Sequence, residues 1–253
     1  MGCPTKKKRR CRKKTIIVCK KKSKKKRRVI VINVDPTPVS VNPTINVDPT
    51  PVNVNPIINV DPTLTIGPFQ RVCNSTVSTT ATFTNTDPIT VPAAGIADPY
   101  PSTIAVTGMT GTIAKVTVTL FNMNHAFQDD LDILLVHPDG VTNTLLMSDA
   151  GGSSPLVDVT LTFDDDATSF LPDAGQIVSG TFKPTNYGPL ENLPAPAPPS
   201  SPFVRLSNFI GLNPNGPWSL FAVDDAAGGA GNISGGWSLT ITTDTEVCTF
   251  TPL

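Results

Sequence analysis

The aspartates are the residues whose types and spacing could do chemistry in this sequence. Asp130 and Asp132 are two residues apart at the start of an apolar run, so a strand would place them on one face and Asp129 on the other. Carboxylates held together repel one another unless a cation intervenes, and Ca²⁺ takes about six to eight oxygen ligands. The candidate calcium ligands are Asp129, Asp130, Asp132, Asp139, Asp149, Asp224 and Asp225. The alternative is that these side chains accept backbone N–H bonds in turns.

Other chemistry-bearing residues favour structural roles. The run 164–166 of three aspartates is interpreted as a solvated turn, with cation binding as the alternative. His125 is interpreted as making a hydrogen bond inside the domain rather than binding metal or moving protons. Trp218 and Trp237 occupy alternating strand positions, which predicts core residues rather than a sugar-stacking platform.

A basic arm at residues 1–28 predicts electrostatic binding. Sixteen of the 20 Lys and Arg residues lie there, whereas residues 29–253 hold 4 basic against 20 acidic groups. Such an arm binds a polyanion by counterion release, and no aromatic residue is present to stack on bases. Self-association onto the acidic domain of another copy, a nuclear-localisation signal and a disordered solubilising tail are the alternatives. The polyanion-binding residues are Lys6, Lys7, Lys8, Arg9, Arg10, Arg12, Lys13, Lys14, Lys20, Lys21, Lys22, Lys24, Lys25, Lys26, Arg27 and Arg28.

The five cysteines form two groups. Cys3, Cys11 and Cys19 are eight residues apart within the arm, where neighbouring cations lower the thiol pKa; this spacing fits no zinc site. Cys73 and Cys248 bracket the remaining sequence. They are either a disulfide that joins its two ends or two unrelated buried thiols.

Three segments must position these residues. The arm at 1–28 has no apolar periodicity and is predicted to be disordered alone. Residues 29–71 repeat the letters INVDPT three times at a 13-residue period, and their prolines predict an extended stalk. Strands that pair with other copies are the alternative. Residues 72–253 form the third segment.

Alternating patterns in residues 72–253 predict an all-β fold. Val116, Val118 and Leu120 share one face of a run that has threonines on the other. Further runs at 131–136, 156–163, 176–182, 218–223 and 237–243 are separated by Gly, Pro, Asn and Asp, and the proline-rich residues 184–202 predict a long loop. Many short strands with such turns are typical of a jelly-roll β-sandwich.

Two motifs in this segment resemble the proprotein-convertase P-domain (P/Homo B) family, in the version found in bacterial surface and secreted proteins. Residues 125–140 read HAFQDDLDILLVHPDG, and the later motif runs from Gly216-Pro217-Trp218 through Asp224 to Trp237-Ser238-Leu239. The resemblance implies a jelly-roll sandwich that normally stabilises a neighbouring subtilisin-like protease. The sequence departs from that arrangement because it contains no Asp, His or Ser motif of a subtilisin-like triad. We therefore expect a protein that is not an enzyme.

Three functions follow as hypotheses. The first is a non-catalytic surface or structural protein, anchored by its arm and displaying the sandwich to a protein partner. The second is an accessory domain that stabilises a subtilisin-like protease in trans, and the third is a capsid-like protein that packages nucleic acid. No run of about 20 apolar residues is present to span a membrane. No ordinary export signal is visible either, so a bacterial outer layer such as a spore coat is the expected location.

Overall fold

The computed structural model describes residues 69–252, which form a sandwich of two β-sheets. The arm, Cys3, Cys11, Cys19 and most of the predicted stalk lie outside the described residues. The predicted all-β class is confirmed, and the helical elements within residues 69–252 are two short 3₁₀ turns at Gln128–Asp130 and Leu206–Phe209. No helix in the described part of the chain is long and apolar enough to cross a bilayer.

The first sheet is built around two long strands. It follows the order β1 (Phe69–Asn85), β13 (Trp237–Pro252), β5 (Thr112–His125), β12 (Gly231–Ile233) and β2 (Ile89–Val91). In addition, β8 (Leu156–Phe163) pairs with β5, and β9 (Gly180–Phe182) pairs with β8 in parallel. The strand predicted at 176–182 is therefore shorter than expected, and the strand predicted at 237–243 is longer.

The second sheet contains the most apolar strands. It follows the order β10 (Thr185–Asn186), β7 (Asn143–Ser148), β6 (Leu131–Val136), β11 (Gly216–Asp224) and β3 (Gly95–Ile96), and β4 (Ser102–Val106) also pairs with β11. Every residue of β6 and β7 is buried. Burial on both faces explains why β6 reads as a nearly continuous apolar run, LDILLV, rather than as an alternating one.

The main core lies between the two sheets and contains both tryptophans. Trp218 and Trp237 are fully buried, which confirms the predicted core role. Their indole N–H groups donate to Pro214 O at 2.9 Å and to Ser102 Oγ at 3.0 Å. A buried indole without a partner would cost stability, so these two hydrogen bonds fix the orientation of each ring.

A second, smaller core lies on the outer face of the second sheet. Leu134, Phe221 and Val223 pack there against Leu193, which belongs to the proline-rich loop. Tyr100 extends the cluster and donates a hydrogen bond to Pro194 O at 2.6 Å, and burial raises the pKa of Tyr100 to about 12. The predicted long loop is therefore fixed on the sheet and reaches as far as the strand ends.

A two-stranded ribbon extends beyond the first sheet. The last residue pair between β13 and β5 is Asp244 with Thr112, but β13 continues to pair with β1 as far as Pro252 with Phe69. We call residues 69–77 with 245–252 the neck. Cys73 and Cys248 are opposite one another in it and form a disulfide, with sulfurs 2.07 Å apart. The sequence had left this pairing open against two unpaired thiols.

The neck defines the two ends of the sandwich. The proximal end, beside the neck, carries the turn at residues 137–142, because β6 ends there and His137 Nε2 lies 2.9 Å from Asn213 O. The distal end carries the end of β5 at His125, the start of β6 and the end of β11. Strands that run the length of the sandwich thus place residues 137–142 and His125 at opposite ends.

Asp139 stabilises the proximal turn. Its Oδ1 accepts the N–H groups of Val141 at 2.9 Å and Thr142 at 2.8 Å, and its Oδ2 accepts the Thr142 hydroxyl at 2.7 Å. Burial raises the pKa of Asp139, but these hydrogen bonds and His137 outweigh it and lower the pKa to about 2. Asp139 therefore has the turn-capping role that the sequence offered as the alternative to calcium binding.

We expect Asp139→Ala to lower the free energy of unfolding by about 1 kcal/mol at neutral pH, because three hydrogen bonds to a half-exposed carboxylate are lost. The folded-state pKa lies below the ordinary one, so the contribution is present above about pH 4 and fades as pH falls toward about 2. Urea unfolding of both proteins at several pH values checks this. A difference that stays constant or grows on acidification would contradict the assigned role.

Candidate functional site

The distal end of the sandwich gathers most of the aspartates that the sequence singled out. Asp132 is in β6 and pairs with Val223 of β11, while Asp224 ends β11 and Asp225 follows it. Successive residues of a strand point to opposite faces. Asp225 continues the outward series of Phe221 and Val223, whereas Asp224 continues the core series of Leu220 and Ala222. The neighbouring carboxylates therefore belong to two different groups.

The outward group is a cluster of three carboxylates, which we call the acidic triad. Asp132 is buried, Glu191 is half-buried and Asp225 is exposed. One carboxylate oxygen from each lies within 4.8 Å of the others. Glu191 comes from the proline-rich loop, two residues before Leu193, which packs on the second core. Packing of the loop thus delivers the third carboxylate to the strand ends.

Burial and, after it, mutual repulsion raise the pKa values of two carboxylates of the acidic triad. Burial raises the pKa of Asp132 to about 8, with further increases from the charges of Asp225, Glu191 and Asp149; a hydrogen bond from Ser148 offsets only part of this. Burial also raises the pKa of Asp225, followed by the charges of Glu191, Asp149, Asp130 and Asp224. The cluster consequently favours a bound positive charge, either a proton or a cation.

The inward group centres on a buried pair. His125 Nε2 lies 3.2 Å from Asp224 Oδ2, and both side chains are fully buried. The pair does not have hydrogen-bond geometry, and neither atom has a hydrogen-bond partner among the described residues. His125 Nδ1 lies 2.6 Å from Phe127 O, which confirms the predicted hydrogen bond of this histidine inside the domain. The pKa of the nearby Asp130 is raised overall. Burial is the main cause, the charge of Asp224 adds to it, and His125 offsets part of the increase.

The expected shared face of Asp130 and Asp132 is wrong. Asp130 lies in the 3₁₀ turn Gln128–Asp130 rather than in β6, so strand alternation does not connect the two side chains. Asp130 faces the buried pair, whereas Asp132 belongs to the acidic triad. Asp129 accepts the N–H of Gly152 at 3.1 Å. The 3₁₀ turn thus separates three consecutive candidates into three environments.

The remaining acidic candidates are also distributed. Asp149 follows β7 and acts on the acidic triad through its charge, while Asp139 lies at the proximal end, away from the other candidates. The run 164–166 contains the predicted solvent-accessible turn, and all three of its carboxylates have partners in the sandwich. Asp165 accepts the N–H groups of Leu206 and Ser207, and Lys115 Nζ lies 2.9 Å from Asp164 and 2.6 Å from Asp166.

Two distal residues were missed by the sequence analysis. Glu191 had no signal beyond being the single acidic residue of a proline-rich loop. Gln128 is fully buried, and its amide nitrogen donates to Gly151 O and, at 2.8 Å, to Gly175 O, while its Oε1 accepts the N–H of Ile177 at 3.1 Å. Gln128 therefore ties its own 3₁₀ turn to the loop before β8 and to the loop after it. Its place between the aromatic residue and the aspartates of the first motif was the only available hint.

The donor set of the acidic triad suits a hard cation. All three groups offer carboxylate oxygens, and neither nitrogen nor sulfur contributes, which favours Ca²⁺ or Mg²⁺ over zinc or copper. The other compact group of potential ligands among the described residues is Cys73, Glu246 and Cys248, whose sulfurs form the neck disulfide. The acidic triad is thus the better candidate for a metal centre in this part of the chain.

Comparisons with known proteins give only partial alignments to solved structures. No protein-family model and no curated protein matches the sequence. Among solved structures, the serine protease of Aeromonas sobria aligns at 17% identity and a TM-score of 0.32, over 67% of this chain and 27% of that chain. The complex of that protease with the chaperone ORF2 aligns at 15% identity and the same TM-score, over 68% and 28%. The chain therefore spans less than a third of the length of the structures it matches.

Proposed function

We propose that this protein is a non-catalytic display protein. Residues 1–28 anchor it to a polyanion, and the P-domain-like sandwich presents its distal end to a protein partner. The observation that carries the proposal is the position of the neck. The first and last described residues leave the sandwich together through a disulfide-bonded ribbon, and the opposite end consists of loops free of both. This is the connectivity expected of a domain held at one end and bound at the other.

The composition of the distal end supports a protein partner. Ile96, Phe127 and Leu190 are more than one-third exposed there, around the acidic triad. Apolar side chains surrounded by polar groups are typical of protein-interaction surfaces. Residues 69–252 carry 4 basic and 17 acidic groups, a net charge of −13, so the sandwich itself would repel a polyanion. Anchoring and partner binding thus belong to different segments.

We assign the acidic triad to structural Ca²⁺. A cation between Asp132, Glu191 and Asp225 would neutralise their repulsion and tie the proline-rich loop to β6 and β11. Outside the acidic triad, Asp149 is the carboxylate whose charge raises the pKa values of both Asp132 and Asp225. The cation would stabilise the distal end rather than take part in a reaction.

Fractionation of native cells tests the anchoring. We expect the full-length protein to sit on an outer layer and to be released by high salt, because counterion release drives polyanion binding. A variant lacking residues 1–28 should remain in the soluble fraction. A second variant that keeps the arm but replaces Ile96 and Leu190 with serine separates the two ends, since it should stay anchored. If the two full-length proteins and the truncated one distribute alike, anchoring by the arm is wrong.

The same fractions distinguish the alternatives. An accessory role toward a subtilisin-like protease, which the P-domain resemblance favours, requires a protease that co-purifies with the full-length protein and loses stability without it. A packaging role requires particles that protect nucleic acid from nuclease. Association of copies through the arm and the acidic sandwich would appear as oligomers that dissociate in salt and are absent from the truncated variant.

A further inference from the structure

The neck disulfide lies where solvent can reach it. Cys73 is exposed and Cys248 is half-buried, and no described side chain of the neck is fully buried. Beyond Asp244, β13 pairs with β1 alone among the strands of residues 69–252, so no third described strand covers the ribbon there. A thiolate can attack a disulfide only along the line of the S–S bond, and access to the sulfur is a main determinant of the rate. Cys73 is the more exposed residue of the two and is therefore the expected point of attack.

The charges around the disulfide make its two sulfurs unequal. Arg71 Nη2 lies 2.9 Å from Cys248 Sγ and 3.5 Å from Glu246 Oε2. The carboxylate oxygen of Glu246 lies within 4.8 Å of both sulfurs. A guanidinium in contact with a sulfur stabilises its thiolate, whereas a nearby carboxylate destabilises it. Cys248 is therefore the better leaving group, with Arg71 favouring and Glu246 opposing its departure.

We propose that Cys73–Cys248 is a site of thiol–disulfide exchange that opens the neck reversibly. The thiolate of an external thiol attacks Cys73 Sγ and forms a mixed disulfide with it. The Cys73–Cys248 bond breaks, and its electron pair leaves on Cys248 Sγ, facing Arg71. One disulfide is consumed and one is formed, so no oxidant is needed. Attack of the Cys248 thiolate on Cys73 Sγ reverses the step and expels the thiol.

Opening of the neck would add a reversible change of state to anchoring and display. In the closed state, the disulfide joins residues 175 apart in sequence and holds the two strands of the neck together. A two-stranded ribbon is marginally stable without such a constraint. In the open state, the modified Cys73 carries the external thiol and the strands are free to separate. The external thiol, small or carried by a protein, would thus control whether the two strands of the neck stay joined.

Two substitutions of opposite sign test the leaving-group assignment. The test protein is the full chain with Cys3→Ser, Cys11→Ser and Cys19→Ser, so that Cys73 and Cys248 are its only cysteines and no free thiol is present before exchange. We expect Arg71→Gln to slow the exchange by about threefold and Glu246→Gln to accelerate it by a similar factor. Arg205→Gln makes the same change of charge beside the second 3₁₀ turn, and it should leave the rate unchanged. Melting curves establish that each variant is folded.

The attacking thiol distinguishes leaving-group stabilisation from steering. Glutathione is anionic and cysteamine is cationic, so steering by Arg71 or Glu246 would act in opposite directions on the two. Stabilisation of the Cys248 thiolate acts in the same direction on both. Trapping with iodoacetamide followed by peptide mass spectrometry should place the mixed disulfide on Cys73 and the alkyl group on Cys248. Three results would overturn the proposal: substitution effects that have opposite directions with the two thiols, a mixed disulfide on Cys248 instead of Cys73, or rates that neither substitution changes.

Discussion

Addition of Ca²⁺ to protein that a chelator has freed of metal is expected to raise its Tm by about 5–10 °C. A ligand at about 100 times its Kd stabilises the folded state by about 2.7 kcal/mol, and each kcal/mol shifts the Tm of a domain of this size by about 2–4 °C. Asp132→Asn should remove most of this shift, because it withdraws the buried carboxylate of the acidic triad. Differential scanning calorimetry in chelator and in Ca²⁺ measures it.

A matched control comes from the other end of the sandwich. Asp139 was an equally good ligand on sequence grounds, but it lies in the proximal turn. Asp139→Asn should therefore keep the full response to Ca²⁺, whatever it does to the basal Tm. The comparison separates loss of a ligand from loss of one negative charge. An equal response in wild type, Asp132→Asn and Asp139→Asn would refute the calcium assignment.

The effect of Asp132→Asn should also change sign with the cation. In chelator, the substitution relieves repulsion from Asp225, Glu191 and Asp149 and avoids burying a charge, so it should be neutral or stabilising. In Ca²⁺, it removes a ligand and should destabilise. A substitution that destabilises equally in both conditions would show that Asp132 acts through packing rather than through a cation.

Removal of His125 is expected to lower the free energy of unfolding by about 3–5 kcal/mol. His125→Leu removes the ring nitrogen that lies 3.2 Å from the buried Asp224 Oδ2, and it also removes the Nδ1 that satisfies Phe127 O. A buried group stripped of its partner bears its full desolvation cost. Urea unfolding with the disulfide intact provides the measurement.

A double-mutant cycle identifies the cause of that loss. Asp224→Asn keeps an oxygen that can accept the N–H of Ala226, now 3.1 Å from Asp224 Oδ1, but it removes the carboxylate. Combined with His125→Leu, it should recover at least half of the lost stability. His137→Leu is the control. His137 is also buried, but the carboxylate 3.2 Å from its Nδ1 belongs to Asp139, which is exposed to solvent and keeps its hydrogen bonds to Val141 and Thr142; we expect a loss of about 1–2 kcal/mol. Strict additivity of the two changes would mean that His125 contributes by packing alone.

Asp224 and Asp225 are adjacent in sequence but lie in opposite environments. Asp224 faces the core beside His125, and Asp225 faces the proline-rich loop beside Asp132. A substitution in the His125–Asp224 pair should therefore change stability while the response of the acidic triad to Ca²⁺ stays measurable. The distal end contains an inner pair that supports the fold and an outer cluster that is available to a cation.

Local pattern was sufficient to predict the fold class. The strands Leu131–Val136 and Leu156–Phe163 were predicted with the bounds that the structure has, because apolar runs between turn residues depend only on near neighbours in sequence. The burial of Trp218 and Trp237 followed from the same alternation. The structure extends β13 to Pro252 for a reason that the sequence did not reveal. Polar residues of the neck pair with β1, a strand about 170 residues earlier in the chain.

The composition of the candidate site was decided by tertiary structure. Composition and spacing supplied a list of aspartates, but Asp139 lies at the wrong end, the 3₁₀ turn separates Asp130 from Asp132, and Glu191 was absent from the list. Secondary structure is set mainly by residues within a few positions of each other. A cluster of charges is set by which strand ends meet and by where a long loop packs. Those distances depend on contacts between residues far apart in sequence, and a single sequence does not encode them as a local pattern.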